Sequence, residues 1–433
     1  MNSPIETRVK PAIGFWKCWS MAVGVMIGSG VFLLPASLAP YGGVSFLGWL
    51  LTSVGAILIA LSLGRLAGRT ERTGGPYVYA QKAFGDLTGF LVAWGYWLGV
   101  VFATTAIAVA FAGYAGALAP MLGASPLTQG AVAAGLIVLL TLINLKGVAE
   151  AASMQLVMTI LKLVPLFLIV LVAIFAGSPE NLPPLNPSDA PFGKALAATA
   201  LLTMWAFLGL ECAVIPAGDV ENPTKTMPRA IVTGTIFVAV LYIASTAAVM
   251  FLLPIEKLAV STAPFADAAY PLGAIGAPLI AIGAIISTAG SANGNILMSG
   301  QMPLAVALDG LAPKALARRN AGNSPALALI LSSALSIALL AFNYQEGLVA
   351  AFTFLITMST LGTLAPYLVS AVAEFKYSWR SAKGWAAIAL LAVIYSLIAM
   401  LGAGLKTLLW GAVLMLAGLP VFYWVRRKKT GQA

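Results

Sequence analysis

The sequence predicts an all-α membrane protein of twelve transmembrane helices, the first and sixth broken, with spans 1–5 and 6–10 forming an inverted repeat. Three observations carry this. The 433 residues are 60% hydrophobic and 9% charged, with a mean hydropathy of +0.96, which excludes a soluble domain of any size. Apolar runs long enough to cross a bilayer fall at 12–40, 43–64, 87–119, 128–145, 151–176, 195–217, 230–253, 271–301, 325–342, 348–373, 384–404 and 407–425. Two of these runs, five spans apart, are interrupted by glycine and followed by proline, the pattern of an inverted-repeat carrier. The chain 1–433 is then one polytopic domain, with a first repeat over 12–176, its inverted counterpart over 195–373, and spans 11 and 12 over 384–425.

Span 1 contains Gly24-Val-Met-Ile-Gly-Ser-Gly-Val-Phe-Leu-Leu-Pro35. Glycine costs about 1 kcal/mol against Ala inside a helix, and in lipid every freed backbone N–H or C=O needs a partner. Two readings are open. Gly24 and Gly28, four apart, suit close helix packing. Alternatively, the helix breaks at Gly28-Ser29-Gly30, and the half-helix that follows aims unpaired amides and a positive dipole end at the bilayer midplane, where a carboxylate can sit.

Charge placement sets the topology. Of the 24 Lys and Arg residues, twenty fall in the N-terminus, the C-terminal tail and the loops on their side, only Lys194, Lys257 and Lys406 fall on the other side, and Lys162 lies within a span. The sequence therefore predicts both termini in the cytoplasm of a multi-pass protein of the bacterial inner membrane, residues 177–192 outside and 303–323 inside. Glu6, Arg8, Lys10 and Lys17 precede span 1 without a small-residue cleavage site, so no signal peptide is expected. Histidine is absent, which removes His-based acid–base chemistry and the serine–histidine dyad. Cys18 and Cys212 lie at or inside spans and indicate neither a disulfide framework nor a metal site. No enzyme activity, metal or cofactor is expected.

The segment 68–85 reads as a cytoplasmic loop with a short interfacial helix, and Arg65 and Arg69 as basic anchors. Span 3 carries Tyr96, Trp97, Thr104 and Thr105, polar enough to line a path and equally able to serve as helix glue. Lys162, several residues from either end of span 5, is expensive in lipid and is expected to face the protein interior among carbonyls or hydroxyls. Span 6, Trp205-Ala-Phe-Leu-Gly-Leu-Glu-Cys-Ala-Val-Ile-Pro216, mirrors span 1: a glycine break at Gly209, an intramembrane Glu211, then proline and the acidic turn Gly218-Asp-Val-Glu-Asn-Pro223. Span 8 offers Ser287, Thr288, Ser291, Asn293 and Asn295, whose amides favour a cavity-facing stripe. Span 10 offers Thr357, Ser359, Thr360 and Thr363 before Pro366, and the tail Arg426-Arg-Lys-Lys429 is a cytoplasmic stop.

Gly28-Ser-Gly-Val-Phe-Leu-Leu-Pro35, Gly74-Gly-Pro-Tyr-Val-Tyr79, Trp205-Ala-Phe-Leu-Gly-Leu-Glu211, Glu221-Asn-Pro223 and Ser261-Thr-Ala-Pro-Phe265 together resemble the amino acid-polyamine-organocation transporters, in particular the bacterial arginine/agmatine and putrescine/ornithine exchangers. The resemblance covers nearly the whole chain. It implies the leucine-transporter fold and alternating access, with the substrate carboxylate on Gly28, Ser29 and Gly30. It implies an α-amino group held by carbonyls near Met26, Trp205 and Leu208. It further implies that Trp205 gates the pocket and that Glu211 is proton-sensitive, with Phe207 and Gly209 among the expected substrate-binding residues. Tyr96, Thr104, Asn295 and Ser359 complete the expected substrate site, and Lys162 with Glu211 the proton-coupling pair, Lys162 otherwise replacing the sodium ion that related folds bind between spans 1 and 8. By register, Asn295 and Val25 stand where the arginine/agmatine exchanger has tryptophan and asparagine, which brings neutral amino acids alongside dibasic ones as substrates.

The expected function is secondary amino acid exchange, sodium-independent. The alternatives are proton-coupled symport of neutral amino acids and, from another class, a sensor that binds without transport. The absence of a ring-forming filter repeat argues against a channel. Expected partners are a small-molecule substrate (an amino acid or its amine product), the lipid bilayer and a second copy in a homodimer, with no nucleic acid.

Overall fold

The computed structural model describes residues 14–70, 74–146, 151–214, 220–321, 324–343 and 348–430. They form an all-helical protein: α1 (Phe15–Met26), α2 (Ser29–Leu38), α3 (Val44–Ala67), α4 (Pro76–Phe84), α5 (Asp86–Leu118), α6 (Pro126–Lys146), α7 (Ala151–Ala176), α8 (Phe192–Trp205), α9 (Pro223–Leu252), α10 (Ile255–Ala259), α11 (Pro264–Ala268), α12 (Gly276–Leu308), α13 (Ala326–Asn343), α14 (Leu348–Ser378), α15 (Lys383–Leu401), α16 (Gly404–Leu416) and α17 (Leu419–Thr430). Ten stretches among the described residues are long and apolar enough to cross a membrane. The expected span 6 is not among them because α8 stops after 14 residues at Trp205, and span 9 is represented by the shorter apolar stretch Ala326–Ala341. Pro216, Gly218 and Asp219 of the expected second break, and Gly74's neighbours 71–73, lie outside the described residues.

The helices sort by enclosure. α5 is buried over 89% of its most apolar stretch and packs against both α12 and α14, whereas α6 is buried over only 22% and the α16–α17 stretch over 17%. α5 is therefore the axis, and the peripheral helices carry the apolar faces turned to lipid, among them Leu139, Leu142, Leu405 and Leu409. α1 and α2 run through the interior against α5, α7, α8, α9 and α12. At one end α10 and α11 close over α2, where Phe32 packs edge-on to Phe265 with centroids 5.1 Å apart. The Tyr114 hydroxyl donates to Phe32 O at 2.7 Å and accepts from Phe265 N at 3.3 Å.

At the opposite end the structure adds to the sequence expectation in two places. The 68–85 segment does carry a short helix, α4, and its Tyr77, Val78 and Tyr79 are buried as it packs against α5 and α14. Arg69 is more than an anchor, since its guanidinium donates to Glu374 Oε1 at 2.9 Å and to Ser378 Oγ at 3.1 Å, with Arg65 Nε 3.9 Å from the same carboxylate and its guanidinium over the Trp385 ring. Glu374 is fully buried, and its Oε2 has no protein partner among the described residues. Arg69→Ala leaves that buried carboxylate with only the Ser378 hydroxyl and the more distant Arg65, at a cost below the about 3–5 kcal/mol of a fully buried pair broken on one side because Arg69 is itself part-exposed. We expect it to lower the melting temperature of the purified protein far more than Arg65→Ala does; equal, small losses would show that Glu374 does not depend on Arg69.

Candidate functional site

The two breaks meet at the centre of the protein. α1 ends at Met26, Ile27 and Gly28 leave helical geometry, and α2 resumes at Ser29, so the interruption is two residues long and Ser29 and Gly30 belong to the first turn of α2. A Cβ on Gly28 would lie 2.3 Å from Ser291 Oγ, so glycine here serves both readings of the sequence at once, close packing on α12 and a broken helix. Ending a helix in an apolar interior leaves its last carbonyls without intrahelical donors. Val23 O keeps its helical bond, and the other four are met by side chains of other helices. Val23 O accepts from Ile27 N at 2.9 Å, Gly24 O from Lys162 Nζ at 2.7 Å, Val25 O from Ser291 Oγ at 3.4 Å and Ile27 O from Ser287 Oγ at 3.3 Å, while Met26 O accepts from the Tyr242 hydroxyl.

Lys162 is thus fully buried between α1 and α12, its ammonium at the negative dipole end of α1. Gly290 leaves it room, since a Cβ there would stand 3.3 Å from Nζ. Thr288, expected as a partner, bonds within its own helix to Ala284 O, and among the described residues no ion pair joins Lys162 to Glu211.

The second break follows Trp205. Turns cap Met204 O with Phe207 N and Trp205 O with Leu208 N, and Ala206 O lies 3.1 Å from the same Tyr242 hydroxyl that serves Met26 O. Gly209 then takes φ +102°, where a Cβ would also stand 2.4 Å from Val25 Cγ1; the position admits only glycine. A short 3-10 helix, Leu210–Val214, continues the chain. Glu211 Oε2 accepts from Gly209 N at 3.1 Å and from the Tyr367 hydroxyl, and Oε1 accepts from the Tyr96 hydroxyl at 2.8 Å. One carboxylate therefore ties the break to α5 and α14.

Between the breaks, α5, α12 and α14 enclose a cavity. Of the residues expected from the sequence it brings together Met26, Gly28, Gly30, Tyr96, Trp205, Leu208, Gly209, Glu211, Asn295 and Ser359. It does not include Thr104, whose hydroxyl is spent on Val100 O in its own helix, nor Phe207, which is buried behind the break against Trp49 and Tyr242, nor Lys162. The Ser29 side chain lies outside the described part of the structure. The Ser359 hydroxyl is committed to Gly99 O at 2.7 Å, and Asn295 donates to Ser291 O at 3.0 Å. Trp205 is buried with its indole Nε1 unpartnered among the described residues, close to the place a Gly30 Cβ would occupy.

Sequence reasoning missed Tyr242 and Tyr367, the donors that hold the two breaks, and the wall residues Cys212 and Met298. Each phenol lies within an expected span, and a buried Tyr hydroxyl must find an acceptor; that was the available signal.

An all-helical membrane protein with a central, polar-lined cavity between two broken helices is a carrier in architecture. The family model "Amino acid permease" matches residues 13–417. A "Putative arginine/ornithine antiporter" of Bacillus subtilis is 32% identical, over 96% of this chain and 97% of its own length. A "Cadaverine/lysine antiporter" of Escherichia coli is 29% identical over 90% of each chain, and the "Putrescine transporter PotE" of the same species 28% over 92% of each. The chain belongs to the amino acid permease family, and it is a multi-pass bacterial membrane protein that transports amino acids.

Tyr242→Phe removes a donor shared by carbonyls of both breaks. Leaving a buried carbonyl unmet costs about 1–3 kcal/mol, so a lower melting temperature and weakened ligand binding are expected together. A variant with wild-type melting and affinity would show that the hydroxyl is dispensable to the site.

Proposed function

We infer that this protein is a secondary amino acid/amine exchanger that seats its substrate between the two breaks. The observation that carries the reading is the pairing of α2's free N-terminal amides at Ser29–Val31 with the buried, unpartnered Trp205 Nε1 beside Gly30: converging donors that suit a carboxylate. Family membership and the antiporters among its relatives support exchange. The far end of the substrate falls toward Glu211, the acid of the cavity, and toward Asn295 and Met298, where no aromatic ring stands to stack a guanidinium. A compact ammonium, as in lysine, ornithine or a diamine, fits these groups better than arginine or agmatine.

In this reading Lys162 takes the place of a coupling cation by holding α7 to α1 beside α12, so transport needs no sodium. The twelve-span topology is supported by adding α8 with its 3-10 continuation, and α13, to the ten counted spans; the two five-span repeats are supported by the equivalent breaks after Met26 and Trp205. The sorting of Lys and Arg supports cytoplasmic termini.

Proteoliposomes test this. Uptake of labelled ornithine or lysine should require an exchangeable amino acid or diamine inside and be unchanged when potassium replaces sodium; uptake into empty vesicles driven by a pH gradient would overturn exchange, and binding without accumulation would mark a sensor. Lys162→Ala should slow turnover while counterflow stays obligatory. Asn295→Trp should shift competition toward arginine and agmatine, since a ring face is worth about 2 kcal/mol to a desolvated cation; tight arginine/agmatine exchange by the wild type would refute the proposed side-chain end.

A further inference from the structure

A second cavity lies behind the substrate site and shares two of its walls. It runs between α5, α12, α13 and α17, and every residue lining it is apolar. Phe90, Trp94 and Trp97 stand along one face of α5 with successive ring centroids 6.1 and 5.2 Å apart, a wall about 10 Å long at helical rise, and Met302 and Val306 of α12 face them. The two indole N–H groups, the only polar atoms these side chains own, are already donated to protein: Trp94 Nε1 to Leu414 O at 2.9 Å, Trp97 Nε1 to Ser332 Oγ at 2.8 Å. The groove therefore offers nothing to an amino acid and a continuous surface to a hydrocarbon. Leu331, at its rim, is 51% exposed on the outer surface of the helix bundle, so the groove is reached from the membrane side.

Its other rim is basic. Pro313 and Leu316 close one end of the groove, where the short turn Lys314–Ala317 begins with Lys314 and is followed by Arg318, both exposed cations beside the lining residues in sequence. Val421 of α17 closes the same end, with Phe422 packed on Phe90 at 5.3 Å between centroids. An apolar slot open to the bilayer with cations at one mouth is complementary to one kind of molecule, a chain with an anionic head.

We propose that the groove between α5, α12, α13 and α17 binds an acyl chain of an anionic phospholipid, whose phosphate is held at Lys314 and Arg318. The lipid lies against the outer faces of the same α5 and α12 that carry Tyr96 and Asn295 on their cavity side, and it is independent of the substrate proposed above. In the charge-sorted topology it belongs to the cytoplasmic leaflet.

Native mass spectrometry of the full-length protein, released from micelles containing equal phosphatidylglycerol and phosphatidylcholine, tests this. The wild type should retain phosphatidylglycerol several-fold over phosphatidylcholine. Lys314→Gln with Arg318→Gln should erase the preference, and Ala328→Phe, which fills the slot, should abolish retention of both. Equal retention of the two lipids by the wild type, or unchanged retention by the filled variant, overturns the proposal, as does displacement of the lipid by inorganic phosphate alone, which would place all binding at the headgroup. Should the filled variant misfold, a phosphatidylglycerol with a photoreactive acyl chain, applied to the wild type, must label peptides containing Trp94, Met302 or Val421; labelling confined to other peptides overturns the seat.

Discussion

A helix cut in the middle of a membrane exposes carbonyls that no water can satisfy, and that obligation organises the centre of this protein. The carbonyls from Gly24 to Ile27 draw side-chain donors from three other helices: Lys162 of α7, Tyr242 of α9, and Ser287 and Ser291 of α12. Each donor is a polar atom that would itself be costly among apolar neighbours. The two costs cancel by pairing, which explains why a lysine is tolerated with no exposure at all. The positive charge is also placed where the aligned peptide dipoles of α1 present their negative end, so the same residue caps and complements the helix.

The second break solves the same problem with an acid instead of a base. Gly209 can adopt its left-handed turn only because it lacks a Cβ, and its amide would then be orphaned if Glu211 did not accept from it. The carboxylate in turn takes hydrogen bonds from Tyr96 and Tyr367, so its charge is spread over three donors supplied by the break, α5 and α14. Lys162 and Glu211, remote from one another in hydrogen bonding, are each the polar centre of one broken helix.

How far the sequence reached follows from how local each feature is. The breaks themselves were legible, because Gly28, Gly30 and Gly209 interrupt apolar runs and helix chemistry is decided within a turn or two. Lys162 and Glu211 were legible because a charge in such a run is conspicuous. What receives them was not. Tyr242 sits in a largely apolar run and Tyr367 directly after Pro366 in the Ser- and Thr-bearing span 10, and neither shows its acceptor until the fold brings it to Met26, 216 positions away, or to Glu211, 156 positions away. The same holds for Arg69, which reads as a membrane-surface anchor until α14 delivers Glu374. Thr104 and Phe207 go in the opposite direction: both have suitable chemistry at suitable depth, but the Thr104 hydroxyl turns back on its own helix backbone, and the turn after Trp205 carries the Phe207 ring toward Trp49, outside the cavity wall.

The Tyr242 hydroxyl holds a further consequence for how a ligand would be received. It lies within bonding distance of Met26 O and Ala206 O, one from each break, yet a phenol has a single proton to give. Met26 O also accepts from Gly28 N at 2.8 Å, so it is Ala206 O that loses its side-chain donor whenever the phenol turns to Met26 O. An α-ammonium carries three donors and no acceptor, so placed between the breaks it can serve the carbonyl that Tyr242 leaves, while the carboxylate on the same carbon takes the amides of α2. In the proposed seating, the charges of an amino acid's backbone are the complement of what two interrupted helices lack, and the side chain would reach past them toward Glu211 and Asn295, the polar groups of the cavity left to tell substrates apart.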